Sequence, residues 1–329
     1  MSLYRNMKGC LDKMNEIPIF LTIDQNYVPF AAAALCSAVR SCDKERKYRA
    51  IVLHQDLTDE SISRLESLGT DNFIIELTPM KANFDALDDR MSNRLRCDYF
   101  TLTIYFRLFI ARMFPQYDKG IYIDSDVILT GDIGELYDTD IGDNFIGACN
   151  DLSIADVPPL VAYTENAVGV KKNEYINSGV LVMNLKKMRE SGFEQHFLQL
   201  LSTYHFDCIA PDQDYINAIC NGKIYYLDER WNAMPNDARK PLTDTMLIHY
   251  NLFSKPWCYD DVQYSSQFWE NAILCGYLDE IKEYKAGYTD FKKKADSECL
   301  ELLIKRGTEI PLNEITFKKL HEKGVKIRL

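Results

Sequence analysis

Ile121-Tyr122-Ile123-Asp124-Ser125-Asp126 joins a short apolar run to two carboxylates spaced one residue apart. The run reads as a buried β-strand, and the acids fall where that strand leaves the core. Carboxylates at i and i+2 on an extended backbone point the same way, so they repel unless a cation lies beside them. Hard oxygen ligands of this kind suit Mg²⁺ or Mn²⁺ that also holds a phosphate. Short Asp-x-Asp pairs also serve as turn formers and helix caps, so the pair alone leaves both readings open.

Upstream, the pattern around that strand repeats. Ile17 to Ile23 reads as a first strand ending at Asp24, followed by an Ala-rich helix from about Val28 to Arg40. Arg49 to His54 is a second strand, Thr58-Asp59-Glu60 opens a helix to about Leu68, and Asn72 to Leu77 is a third strand. This alternation predicts an α/β fold with a mostly parallel central sheet covered by helices, and ligands beyond the carboxyl ends of the strands. Asp24 and the Asp124/Asp126 pair both sit at such ends. Tyr99 to Ile110 predicts one helix packed on the sheet. Its single charged residue, Arg107, needs either an acid near the sheet edge or an anionic ligand.

Downstream, Asn144 to Cys149 and Gly179 to Asn184 read as further strands. Between them Asp151 to Asn173 has little pattern and two prolines, which predicts a mobile loop over the site. From about Gln263 the pattern turns helical, with aromatics and lysines. A boundary near Asp260 divides the chain into a domain over residues 1–260 and a helical, basic segment over 261–329.

A chain of 329 residues with 47% hydrophobic content can bury a sizeable core. A net charge of -11 argues against nucleic acid as a partner. From Phe291 to Leu329, however, ten Lys and Arg face six Asp and Glu, a local excess of +4. With Trp269, Tyr277, Tyr284 and Tyr288, the lysines at 292 to 294 would allow peripheral contact with an anionic membrane surface; a solvated helix face explains them equally well. The ten cysteines form no Cys-x-x-Cys pair or zinc-spaced cluster, so reduced thiols in a cytoplasm are expected. Arg5, Lys8, Asp12, Lys13 and Glu16 interrupt any signal-peptide core, and no uninterrupted apolar stretch reaches the eighteen or so residues of a membrane span.

Met246-Leu247-Ile248 is another apolar strand, and His249 follows it just as the acids follow theirs. A neutral imidazole is a metal ligand, and Lys255 six residues on would neutralise a diphosphate. His249 alone is equally compatible with a strand-end histidine satisfied by the backbone.

Four motifs in order now resemble a known group. They are Asp-x-Asp after the strand, Asn-Ser-Gly-Val-Leu-Val-Met-Asn-Leu at 177 to 185, Asp-Gln-Asp at 212 to 214, and His249 with Lys255-Pro256-Trp257. Together the motifs resemble the retaining glycosyltransferases of family 8, which include bacterial lipopolysaccharide galactosyltransferases and glucosyltransferases and, more distantly, the glycogenins. The resemblance covers roughly Ile17 to Trp257. It implies a GT-A type single nucleotide-sugar-binding domain, with the C-terminal helices as an appendage. It also implies Mn²⁺, with Mg²⁺ as substitute, held by Asp124, Asp126 and His249 against the diphosphate of UDP-glucose or UDP-galactose.

By the same resemblance Lys255 binds the diphosphate, and Thr22, Ile23, Asp24, Asn26 and Tyr27 form the uridine site, with the tyrosine stacked on the base. Arg107, Ser125, Asn177 and Ser178 join the donor site, Ser178 standing where an alanine is frequent. Asp151, Asp212 and Gln213 face the sugar, where each hydroxyl left unpaired costs on the order of 1–3 kcal/mol. Asp212 and Gln213 could instead be an N-cap and first-turn pair of a helix beginning at Pro211.

The implied reaction is transfer of a hexose, with retention, to a hydroxyl of a saccharide acceptor. That acceptor would belong to lipopolysaccharide, another cell-surface glycan or a glycoprotein. Gln213 opposite the reacting carbon is a poor nucleophile, which favours front-face attack over double displacement. A catalytically silent UDP-sugar-binding protein is the alternative. Nucleotidyl transfer fits less well, because the turn from Asp24 to Phe30 lacks the glycines of a phosphate loop.

Overall fold

A computed structural model of the chain describes residues 16–80 and 102–329. The first half is β1 (Glu16–Thr22), a 3₁₀ turn over Gln25–Tyr27, α1 (Val28–Ser41), β2 (Lys47–His54), α2 (Asp59–Glu66) and β3 (Phe73–Pro79). Then come a 3₁₀ helix over Leu102–Leu108, α3 (Ile110–Met113), β4 (Gly120–Ile123), β5 (Val127–Leu129), α4 (Ile133–Asp138) and β6 (Ile146–Asn150). These are followed by α5 (Pro158–Tyr163), a π-helical turn over Thr164–Val168, β7 (Ile176–Met183), α6 (Leu185–Glu190), α7 (Phe193–Tyr204) and α8 (Pro211–Ile219). The remainder is β8 (Ile224–Tyr226), a 3₁₀ turn over Glu229–Asn232, β9 (Leu247–His249), α9 (Ser265–Leu274), α10 (Leu278–Ala286), α11 (Asp290–Glu309) and α12 (Phe317–Glu322).

Seven strands form one sheet in the order β3-β2-β1-β4-β7-β6-β8, and β5 pairs with β9 in a separate ribbon. Every pairing in the large sheet is parallel except those of β7, which runs antiparallel to both β4 and β6. The period-2 alternation of strands sends side chains to two cores. Ile19, Leu21, Ile121 and Ile123 pack with α1 on one face, and Phe20, Tyr122 and Leu181 enter the aromatic layer on the other. Ala31 to Ala34 are completely buried, which lets α1 lie close against the sheet. Thr58 caps α2, its hydroxyl accepting the Ser61 N–H at 3.2 Å.

Two segments differ from the sequence reading. Tyr99 to Thr101 of the helix expected over 99–110 lie outside the described residues, as do residues 1–15 with their charges. The rest is 3₁₀ up to Leu108, then one α-turn, consistent with the poor helix propensity of its aromatics. Asp151 to Asn173 is not an open loop, because it contains α5 and the π-helical turn. Pro158 and Pro159 occupy the first turn, where a missing N–H costs nothing, and Leu160, Tyr163, Ala167 and Val168 fall on one helical face and are buried.

The C-terminal helices pack on both faces. Phe268, Ala272 and Ile281 join the core around α1, whereas Leu303, Ile310, Phe317 and Leu320 join the other, with Phe317 stacked 3.8 Å from Phe206. Gly307 admits α11 against α5, since a Cβ there would lie 2.9 Å from Leu160 Cδ2. The eight cysteines among the described residues are unpaired. No helix among the described residues is long and apolar enough to cross a membrane.

Candidate metal and sugar-nucleotide site

Backbone pairing brings the acids and the histidine to one point. The Asp124 N–H donates to the Gly179 carbonyl at 2.7 Å, tying the end of β4 to β7. The ribbon then pairs Val127 with His249, and the Tyr250 N–H donates to the Asp126 carbonyl at 2.9 Å. His249 Nε2 consequently lies 3.2 Å from Asp126 Oδ1 and 3.7 Å from Asp124 Oδ2. One ligand atom from each residue falls within 4.8 Å of the other two.

These separations fit ligands around a single small cation, because metal–oxygen bonds of about 2.1 Å place neighbouring ligands about 3 Å apart and opposed ones about 4.2 Å. Among the described residues Asp126 Oδ1 is buried and meets no hydrogen-bond donor, which is costly unless a cation meets it. Two carboxylates with one imidazole suit Mn²⁺ or Mg²⁺, the nitrogen favouring Mn²⁺. Burial by itself pushes the Asp126 carboxyl up, but the Lys255 ammonium and the His249 imidazole hold it well below the usual carboxylate range. Lys255 Nζ bonds Asp126 Oδ2 and donates to the Tyr250 carbonyl at 2.8 Å.

Arg107 lies under the acids. Its Nη2 donates to Asp124 Oδ1 at 2.8 Å, its Nε lies 3.2 Å from Asp212 Oδ2, and its Nη1 donates to the Ser178 carbonyl at 2.7 Å. Burial by itself pushes the Arg107 guanidinium down, but Asp124 and Asp212 beside it hold it above its ordinary value. Of the two partners the sequence left open, the structure therefore supplies acids, and they are acids of the site itself.

Beside the arginine is a buried polar cluster. Gln213 Oε1 accepts the Ser178 N–H at 3.1 Å, and its Nε2 donates to Asp151 Oδ2 at 2.8 Å. Asp151 Oδ1 accepts the Ser153 N–H at 3.0 Å, and Ser178 Oγ donates to Asp212 Oδ2 at 3.1 Å. Asn177 Nδ2 reaches Gln213 Oε1 at 3.4 Å. Asp212 and Gln213 are in the first turn of α8, as the helix reading also had it, and both are buried in this cluster.

At the end of β1, Thr22 Oγ1 lies 2.9 Å from the Tyr122 hydroxyl, and the buried Ile23 donates its N–H to the Leu53 carbonyl at 3.0 Å. Asp24 Oδ1 accepts the N–H groups of Asn26 and Tyr27 at 2.9 and 3.1 Å, capping the turn that presents both side chains. Ser125 is buried between the two acids. Tyr27, Phe30, Lys255, Trp257, Tyr284 and Tyr288 line a cavity of about 190 Å³ that also reaches Asp126. Phe30 and Trp257 stack in its wall with centroids 4.4 Å apart.

The structure thus gathers Asp124, Asp126, His249, Lys255, Arg107, Ser125, Asn177, Ser178, Asp151, Asp212 and Gln213 around one centre, with Thr22 to Tyr27 along its edge. It adds residues the sequence reading did not single out. Tyr122 donates to Asp124 Oδ1 at 2.8 Å, and its position two residues before the acid on a strand was a usable signal. Tyr284 and Tyr288, which the sequence leaves open between membrane contact and a solvated helix face, line the cavity. Asn232 sits between His249 and Asn177, and nothing local in the sequence marks it.

A sheet of this order with acids, an imidazole and a buried polar cluster at its carboxyl edge belongs, with its structural matches, to the GT-A class of glycosyltransferases. The fold matches the solved structure of the bifunctional glycosyltransferase WbbM with a TM-score of 0.67 at 22% identity, over 82% of this chain and 52% of that one. It matches galactosyltransferase LgtC, solved with donor and acceptor sugar analogues, at 0.64 and 24%, over 78% of this chain and 95% of LgtC. In sequence, a lipopolysaccharide 1,2-glucosyltransferase of Escherichia coli K12 is 24% identical over 83% of this chain and 82% of that protein. A Haemophilus influenzae protein with a provisional glycosyltransferase name is 27% identical over 67% of this chain, which spans 64% of that relative's length. The profile of glycosyl transferase family 8 matches residues 18–261, and the chain belongs to that family.

Proposed function

We propose that the protein is a Mn²⁺-dependent retaining hexosyltransferase, moving glucose or galactose from a UDP-sugar to a hydroxyl of a saccharide of lipopolysaccharide, another cell-surface glycan or a glycoprotein. The observation that carries this reading is the convergence of Asp124, Asp126 and His249, with Asp126 Oδ1 unpartnered among the described residues, beside the buried Asn177–Gln213–Asp151 cluster. When bound, Mn²⁺ supplies positive charge to the diphosphate as it departs.

Lys255 exchanges Asp126 for the diphosphate, and Tyr27 stacks on the uracil in the cavity it lines. The sugar lies against Asp151, Asn177, Ser178, Asp212 and Gln213. Gln213 acts by positioning. Its carbonyl oxygen is taken by the Ser178 N–H and its amide by Asp151, so it orients Asp151 and offers no nucleophile. Attack then comes from the face the diphosphate leaves, whose oxygen accepts the acceptor's proton. Cytoplasmic location with peripheral contact at a membrane surface belongs to the same reading.

Incubation with UDP-glucose or UDP-galactose, with and without Mn²⁺, tests it. Metal-dependent release of UDP and free hexose, in slow turnover without acceptor, is expected from one of the two. Binding without any release would favour the silent UDP-sugar binder, and no binding of either would sink the reading. A glycosyl adduct trapped on Asp151 or Asp212 would replace front-face attack with double displacement.

A further inference from the structure

The hydrogen bonds around Asn232 fix a proton as well as a position. Asn177 Oδ1 accepts the Gly179 backbone N–H at 3.0 Å, and a peptide N–H can only donate, so that atom is the oxygen of its amide. The Asn232 atom 3.0 Å from the same oxygen is therefore the donor Nδ2. The other end of the amide, Oδ1, faces His249 Nδ1 at 2.9 Å, and an acceptor there requires the proton on Nδ1. Nε2, on the far side of the ring, is the nitrogen that approaches Asp124 and Asp126, and at 3.2 Å it forms no hydrogen bond with Asp126 Oδ1.

The backbone fixes this arrangement. Asn232 ends a 3₁₀ turn, the Ala233 N–H donates to the Leu247 carbonyl, and the His249 N–H donates to the Ala233 carbonyl, both at 2.9 Å. The turn carrying the amide is thus bridged to the strand carrying the imidazole, and both side chains are buried, at 2% exposure each.

We propose that Asn232 is the positioning residue of the metal centre. It holds His249 as the Nδ1–H tautomer, so that the Nε2 lone pair is aimed at the point shared with Asp124 and Asp126, and it links that ring to Asn177 of the sugar cluster. Outer partners of a ligating histidine commonly set its tautomer, orientation and basicity. Here the partner is an amide with a second function. Its Nδ2–H orients Asn177, whose own Nδ2 reaches Gln213, so the metal ligand and the sugar pocket share one chain of oriented amides. The inference rests on the reading of the triad as a metal site.

The test uses Asn232→Ala and Asn232→Asp. Aspartate preserves an acceptor for Nδ1–H but cannot donate to Asn177, so it separates the two arms. ¹⁵N-imidazole NMR of the wild type with Mg²⁺ is expected to show His249 protonated on Nδ1 only; a proton on Nε2 overturns the assignment. Mn²⁺ affinity, read by electron paramagnetic resonance of the free ion, is expected to fall about 10- to 100-fold in Asn232→Ala and to stay within about threefold in Asn232→Asp. Asn232→Asp is nevertheless expected to raise the KM for the UDP-sugar, a split that loss of folding alone would not produce. Unchanged Mn²⁺ affinity in Asn232→Ala, with wild type binding normally, removes the inference alone. Absence of Mn²⁺ binding by the wild type takes down the metal reading and the inference with it.

Discussion

Gly179 stands so close to His249 that a Cβ built on it would lie 2.3 Å from the ring's Cε1; the same Cβ would lie 2.7 Å from Asp124 Oδ2 and 3.0 Å from Asn177 Oδ1. None of these atoms can retreat cheaply, because the imidazole and Asn177 are buried and hydrogen-bonded on their other sides. Gly179→Ala is expected to destabilise the fold by about 1–3 kcal/mol through overpacking. It should also weaken Mn²⁺ binding by more than about tenfold by displacing His249. Urea unfolding and a Mn²⁺ titration check the two parts. A variant with native metal affinity would mean the ring has room to move.

The acids and the histidine differ in what their loss removes. Asp124→Asn and Asp126→Asn each remove a negative charge and leave a weaker, neutral amide oxygen, whereas His249→Ala removes a ligand without removing negative charge. Mn²⁺-dependent UDP-sugar binding should fall by more than about a hundredfold in either acid variant, beyond the range of outer-partner changes, and by less in His249→Ala. Calorimetric titration with and without Mn²⁺ gives the order. A larger loss from the histidine change, or equal wild-type affinity without metal, contradicts it.

Arg107 is itself buried and pairs with two carboxylates at once, the buried Asp212 and the partly exposed Asp124. Arg107→Ala leaves Asp124 and Asp212 facing each other without a cation, and breaking a buried pair in this way costs about 3–5 kcal/mol. Arg107→Lys should recover part of that loss, since it restores the charge but not the fork that also holds the Ser178 carbonyl. Denaturant midpoints of the two variants against wild type measure this. Equal stability in Arg107→Ala would mean the acids take up protons or water instead.

How much of this was legible in the sequence depends on how local each signal was. The β-α-β alternation and the strand-end acids were readable, because period-2 runs and caps are properties of short segments. The fold match and the family profile agree with the fold class and family read from them. Arg107 was visible as an anomaly, but its partners sit 17 and 105 residues away in sequence. Asn232 carries no local mark at all, because it reaches His249 only through a bridge between a 3₁₀ turn and β9. Asp151 to Asn173 differs from the loop its sequence suggests because its two prolines open a helix instead of punctuating a loop. Nothing local shows that Tyr284 packs against Phe30 and Tyr288 against Tyr284 in the wall of the cavity.

His54, at the end of β2, is buried with Nδ1 accepting the Leu57 N–H at 3.3 Å and Nε2 without a partner among the described residues. Burial lowers its pKa, against a smaller opposing effect of Asp56. The folded state then resists a proton that the unfolded chain accepts near pH 6.5, so the unfolded state binds more protons below that value. Stability is expected to decline as pH falls from about 6.5 until the folded imidazole titrates. His54→Asn, which retains an acceptor for Leu57, should show a shallower decline. Urea midpoints from pH 7.5 down to pH 5 for both proteins make the comparison, and parallel slopes would remove His54 as the source.

The basic C-terminal helix has to be tested by surface changes, because a chain ending near Asp290 would lose the buried Leu303, Ile310, Phe317 and Leu320 and compromise the core. With Tyr277, Tyr284 and Tyr288 turned inward, α11 keeps Phe291 at 82% and Leu302 at 50% exposure. Helical spacing puts these two on one face with Lys294 and Lys305. Each lysine near an anionic surface contributes about 1 kcal/mol, and Glu298 and Glu309, paired to these lysines, offset part of it. Weak, salt-sensitive binding to anionic vesicles is therefore expected, lost in a Phe291→Ser, Leu302→Ser double variant and in Lys294→Glu, with UDP-sugar turnover unaffected. Cosedimentation at low and physiological salt reads it. Binding that survives both variants would move the contact elsewhere on the protein, and no binding at low salt would leave α11 as a solvated helix.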